Sequence, residues 1–111
     1  MNKPIDLGTV VAERELSLVR SDGSKDTVTV RIGTPYEEDD TMWACPYQIQ
    51  GPNRTKTFRM GGLDSMQALL LTTQVILPEL DAWARHEGGT FQFCDDHDTG
   101  FPDYEQNQSK F

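Results

Sequence analysis

Four side chains of the kind that bind metal ions crowd one short stretch of this chain. Asp95, Asp96, His97 and Asp98 directly follow Cys94, and carboxylates with an imidazole are donors from which divalent-cation sites are built. Such a site needs three or four donors converging on one point, and this spacing fits no zinc pattern. Asp96, Asp98 and Gly100 echo the opening of a calcium loop, but the glycine falls one place early and the twelfth position is Asn107 instead of a glutamate. The competing reading is a solvated acidic turn. The stretch is a candidate metal or small-ligand site.

A second acidic run, Glu37-Glu38-Asp39-Asp40, offers carboxylates that suit a basic protein surface, against the plainer reading of a hydrated loop. Cys45 would be a nucleophile only with a histidine beside it. It falls on the apolar side of a strand-like run, where a thiol behaves as a small hydrophobe. His86 closes a helical pattern, where a cation complements the dipole. Gly61-Gly62 and Ser65 resemble the approach to an anion site at a helix start, but Asp64 already brings a negative charge to the same amides. The chain has no glycine-rich phosphate loop, no serine-histidine-aspartate arrangement and no repeated Cys-x-x-Cys. There is therefore no reason to propose an enzyme, and no cofactor is expected.

Eighteen acidic against ten basic residues give a formal charge of −8. Nucleic-acid binding draws on cationic faces that release counterions, and anionic membranes attract the same faces, so neither partner is expected. The opening residues lack an apolar core of the signal-peptide type, and no apolar run approaches the ~20 residues that span a bilayer. Two cysteines are too few for a disulfide scaffold. A cytoplasmic protein is expected.

The elements that must hold these residues alternate with a period of two along most of the chain. Val10, Ala12, Leu16 and Leu18 share one side of the first run, with Arg14 breaking it. Val28, Val30 and Ile32 follow after a Ser21–Ser24 turn. Trp43, Cys45, Tyr47 and Ile49 form a third stripe. Pro46 within it cannot donate to a ladder, so this strand is expected at an edge or at a bulge. Phe58 and Met60 face inward on a fourth run, and Phe91 and Phe93 on a fifth. The acidic run Glu37–Asp40 is expected as an exposed loop.

Only Leu63–Gly89 carries helix signals of several kinds. Asp64 is an N-cap acceptor with Gln67 three places on, Leu63 precedes it as a staple, and Gly88-Gly89 supplies the stop. Met66, Leu69, Leu70, Thr73, Ile76, Leu77, Leu80, Trp83 and Ala84 recur at helical spacing, and Pro78 is expected to kink the rod.

Ala12-Glu13-Arg14, Val28–Gly33, Trp43-Ala44-Cys45-Pro46-Tyr47, Gly62–Leu69 and Gly100-Phe101-Pro102 occur in an order that resembles a family of small uncharacterised bacterial proteins, a domain of unknown function. The resemblance spans nearly the whole chain, with the Trp-Cys-Pro-Tyr run and the helix start as its more specific parts. It implies a bacterial source and a one-domain protein, and it brings no activity or site residues with it.

These observations predict one α+β domain over residues 1–111, in the order β-β-β-β-α-β, with residues 95–111 as an acidic tail. An antiparallel sheet of four or five strands would pack one face on a long helix kinked near Pro78. The expected function is a non-enzymatic interaction module, regulatory or immunity-like, that meets a basic protein through Glu37, Glu38, Asp39 and Asp40. The alternatives are a homodimer, formed through the Pro46 strand or the wet face with Val11, Val19 and Met42, and a metal or small-ligand protein using Asp95, Asp96, His97 and Asp98.

Overall fold

The computed structural model describes residues 5–103. The chain forms an antiparallel sheet with one helix laid across one face. Strand β1 spans Val10–Arg20, β2 Lys25–Gly33, β3 Tyr36–Asp39, β4 Met42–Gln50, β5 Thr55–Gly62 and β6 Gly89–Gln92; α1 spans Ser65–Glu87 between the last two strands. The expected α+β class holds, with a sixth strand.

That extra strand comes from the acidic run. Residues Tyr36–Asp39 pair with Met42–Ala44, while Thr29–Ile32 pair with Tyr47–Gln50 on the same strand. β2 and β3 thus follow one another along one flank of β4, and β5 lines the other flank from Thr55 to Gly62. The Pro46 strand is therefore interior, not an edge. Pro46 keeps Arg59 opposite it on β5, and the break between β2 and β3 falls across from it. A residue without an N–H fits an interior strand only where the ladder is interrupted.

Leu16, Leu18, Val28, Val30, Ile32, Cys45, Tyr47, Ile49 and Phe91 supply the sheet's side of the core, and Ala68, Thr72, Ile76, Leu80 and Trp83 the helix's side. The Tyr47 and Phe58 rings lie 5.4 Å apart. Val10 and Ala12, expected inside, are exposed, as is Leu70 on the helix. On the opposite face a polar ladder crosses four strands: Arg31 donates to Glu13 (2.7 Å) and Gln48 (3.1 Å), and Gln48 donates to Thr57 (3.1 Å). This is the alternation that a one-sided sheet requires.

Asp64 caps α1 by accepting from the Gln67 amide at 2.7 Å, and Gly88 closes it in the left-handed conformation at φ 67°. The Gln67 side chain accepts from the Leu63 amide, one residue before the position that a capping box uses. Leu63 itself is 76% exposed and staples nothing. The helix runs without interruption through Pro78. Pro78 stands on the exposed side, where a carbonyl that loses its partner can be hydrated.

Candidate functional site

The Asp95–Asp98 stretch folds as a turn. Cys94 and Asp95 both take positive φ, 51° and 62°, and the Phe93 and Asp96 backbones exchange both hydrogen bonds, at 2.8 and 3.0 Å. Two left-handed central residues are what a type I′ hairpin turn demands, and Asp tolerates that region better than most residues. The carboxylates are then used locally. Asp96 accepts from the Asp98 amide at 3.0 Å, and Asp98 accepts from the Gly100 amide at 2.8 Å. Among the described residues no three His, Cys, Asp or Glu side chains converge as a metal ion would need. The clustered carboxylates serve successive side-chain-to-backbone turns.

These turns deliver Thr99 and Phe101 to Arg14. The Arg14 guanidinium donates to the Thr99 carbonyl at 2.7 Å. Its Cζ lies 4.1 Å from the Phe93 ring centre and 5.3 Å from that of Phe101. Arg14 breaks the apolar stripe of β1 because it holds the segment after β6 against the sheet. Sequence periodicity marked it only as a defect; the signal available was a lone cation on the inward side with aromatic residues at Phe93 and Phe101. Residues 95–103 are thus folded back on the domain. The rest of the expected acidic tail, residues 104–111, lies outside the described residues.

Between this segment and the C-terminal half of α1 runs a cleft of about 690 Å³. Leu77, Leu80, Ala84 and Phe91 give it apolar walls, and Asp81, Arg85, His97 and Asp98 bring polar groups to it. Of the four expected metal donors, His97 and Asp98 reach this cleft.

The Glu37–Asp40 run corrects the expected loop. It is the end of the β3–β4 hairpin, with all four residues exposed. The Asp39 carboxylate accepts from the Thr41 amide and hydroxyl, both at 2.8 Å. Those two bonds hold its pKa below the ordinary carboxylate value. Glu38 pairs with Arg59 at 2.7 Å. The tip is built by paired backbone and a capped turn, with Glu37 and Asp40 left facing water. About 10 Å separates one end of such a four-residue strand from the other at ~3.3 Å per residue, and successive side chains along it point to opposite faces. Cys45 is buried, and burial raises its thiol pKa. Among the described residues no imidazole stands among its hydrogen-bond partners. His86 ends α1 beside Arg85, as the dipole favours.

A family described as a domain of unknown function, DUF6968, matches residues 12–103. The chain belongs to this family. The match takes in β1 from Ala12 onward, every later strand, the helix and the segment held by Arg14. No curated protein matches the chain, and no solved structure does. No helix among the described residues is long and apolar enough to cross a membrane.

Proposed function

We propose that this DUF6968 chain is a non-enzymatic interaction module, regulatory or immunity-like, that recognises a basic protein surface through the tip of the β3–β4 hairpin. The supporting observation is that the acidic run sits on ordered, paired backbone at the hairpin's end. A preformed hairpin loses less conformational entropy on binding than a free loop. Long-range attraction from a chain of charge −8 would speed encounter with a cationic partner and would be screened by salt. A bacterial, cytoplasmic setting with reduced thiols fits the two free cysteines, one buried and one exposed.

The test is affinity capture with wild-type protein and with a Glu37→Lys/Asp40→Lys variant, at low and at raised salt. The proposal expects a stoichiometric basic protein that wild type retains at low salt, that salt releases, and that the variant fails to retain. Capture that is insensitive to both the variant and the salt overturns it, as does the absence of any retained partner at low salt.

One observation favours a second reading, a small-ligand site: His97 and Asp98 line the 690 Å³ cleft. Its size and apolar walls suit a small organic molecule. Thermal shift against a library of such molecules, repeated on Leu77→Arg, tests it: a stabiliser that the variant ignores supports the reading, and a library without stabilisers opposes it.

A further inference from the structure

β6 covers only one end of the outer flank of β1. The register of β1 against β2 runs unbroken from Ala12 opposite Ile32 to Val19 opposite Lys25. At the turn that joins them, the Arg20 amide donates to the Ser24 carbonyl at 2.9 Å. Bonded and non-bonded pairs alternate along an antiparallel ladder. Leu18, Leu16, Arg14 and Ala12 therefore direct their backbone groups to β2, as Arg20 does, and Val19, Ser17, Glu15 and Glu13 direct theirs the other way. β6 meets Val19 and Ser17, with Thr90 and Gln92 opposite them. The chain then turns at Cys94 and Asp95 and leaves β1 before it reaches Glu15. The segment beyond is gripped by the Arg14 side chain, on the side of β1 that Leu16 and Leu18 share. Among the described residues no backbone group pairs with Glu15 or Glu13 on the outer flank. Their N–H and C=O groups stand at an open strand edge, which ends at the irregularity between Val10 and Ala12.

We infer that this edge of β1 takes up an extended basic segment of a partner protein, which adds to the sheet as a further strand in line with β6. The backbone sets the shape of the occupant. Alternating N–H and C=O groups along an edge are matched by a strand and not by a helix. Charge sets its composition. Glu13 and Glu15 are both exposed on the face turned away from the helix. Arg31 pairs with Glu13, whereas Glu15, opposite Thr29, makes no ion pair among the described residues. A strand laid beside them places every second side chain on that same face. Lysine or arginine at alternate positions would then meet these carboxylates at cross-strand distance. A second copy of β1 is disfavoured as the occupant. Antiparallel pairing about a two-fold axis sets Glu13 opposite Glu15, or each opposite itself, and like charges directly opposite are destabilising. The inference goes beyond the hairpin-tip reading and does not depend on it, because Glu37 and Asp40 take no part in a contact made by the main chain of β1.

The probe is a synthetic peptide of alternating lysine and valine, capped at both ends, with alternating glutamate and valine as its counterpart. Titrated into the full chain at moderate salt, where long-range attraction is screened, the lysine peptide should bind saturably. It should also slow hydrogen exchange at the Glu13 and Glu15 amides, and the glutamate peptide should do neither. Glu15→Lys should weaken binding about tenfold, since it turns an attractive cross-strand contact into a repulsive one. Glu15→Pro removes an outward N–H and no ladder bond, so it should remain folded yet fail to bind. Glu37→Lys/Asp40→Lys, which changes the net charge more than Glu15→Lys does, should bind as wild type does; this separates the edge from the hairpin tip and from nonspecific attraction. The absence of saturable binding overturns the inference, as does binding that leaves both amides unprotected or that Glu15→Lys retains in full. Protection of the same amides on concentrating the chain alone also overturns it, in favour of a second copy.

Discussion

Arg14→Ala should loosen the whole segment that follows β6. The guanidinium makes one hydrogen bond, to the Thr99 carbonyl at 2.7 Å, and faces two rings, at 4.1 and 5.3 Å. A hydrogen bond from a charged donor contributes roughly 1.5–3 kcal/mol, and each ring contact about 0.5–1 kcal/mol where solvent reaches it. Arg14 is half-buried, so the low end of each range applies and the loss is about 2.5 kcal/mol. Unfolding entropy near 2.1 cal/mol/K per residue over 111 residues converts this to a fall of about 11 °C in Tm. Arg14→Met, which keeps the apolar stem, should recover part of the loss. Hydrogen exchange should localise the effect to the Asp98 and Gly100 amides, which the Asp96 and Asp98 carboxylates hold.

Gly100 supplies an internal control. It sits at φ 80°, and a Cβ there would run into the Arg14 guanidinium. Gly100→Ala should therefore cost less in the Arg14→Ala background than in wild type, by at least ~0.5 kcal/mol of coupling. A melting temperature of Arg14→Ala within 2 °C of wild type, with unchanged exchange at both amides, would refute the anchoring role.

Ile76→Ala, at a fully buried helix position, should cost about 2–5 kcal/mol in chemical denaturation, whereas Leu70→Ala measured at low micromolar concentration should stay within about 0.5 kcal/mol; equal costs would contradict the orientation of α1. Gly62→Ala should destabilise by about 2 kcal/mol or more, because its Cβ would meet the Ala68 amide nitrogen at 2.5 Å and backbone cannot swing aside as a side chain can; an unchanged urea midpoint would show that the strand-to-helix junction relaxes freely. Asp39 has a depressed pKa, so its hold on Thr41 is complete above the ordinary carboxylate range near pH 4 and is lost as pH falls through the lower folded value. The Thr41 amide should accordingly exchange faster relative to its intrinsic rate at strongly acidic pH, and Asp39→Asn should flatten that dependence.

The period-two stripes of β1, β2, β4 and β5 were legible in the chain because a half-buried strand must alternate, and Leu16, Leu18, Val28, Val30 and Ile49 all fall inside as that rule requires. The ends of α1 were equally legible, since Asp64 and Gly88 act through neighbours three or four residues away. Local rules failed wherever the partner was remote. Pro46 reads in isolation as a residue of an edge or a bulge; β4 is interior, and the break between β2 and β3 leaves Pro46 no neighbour on that flank to disappoint. Glu37–Asp40 carries loop composition, and pairing with Met42–Ala44 makes Tyr36–Asp39 a strand. Leu70 belongs to the apolar helical pattern but faces water, since one narrow sheet covers only one side of a rod that is apolar on two. Arg14 and Thr99 are 85 positions apart, and no spacing rule joins them. Short-range hydrogen bonding and side-chain periodicity are properties of the chain itself; which cation meets which ring, and which apolar face is left uncovered, are set only when distant segments close on one another.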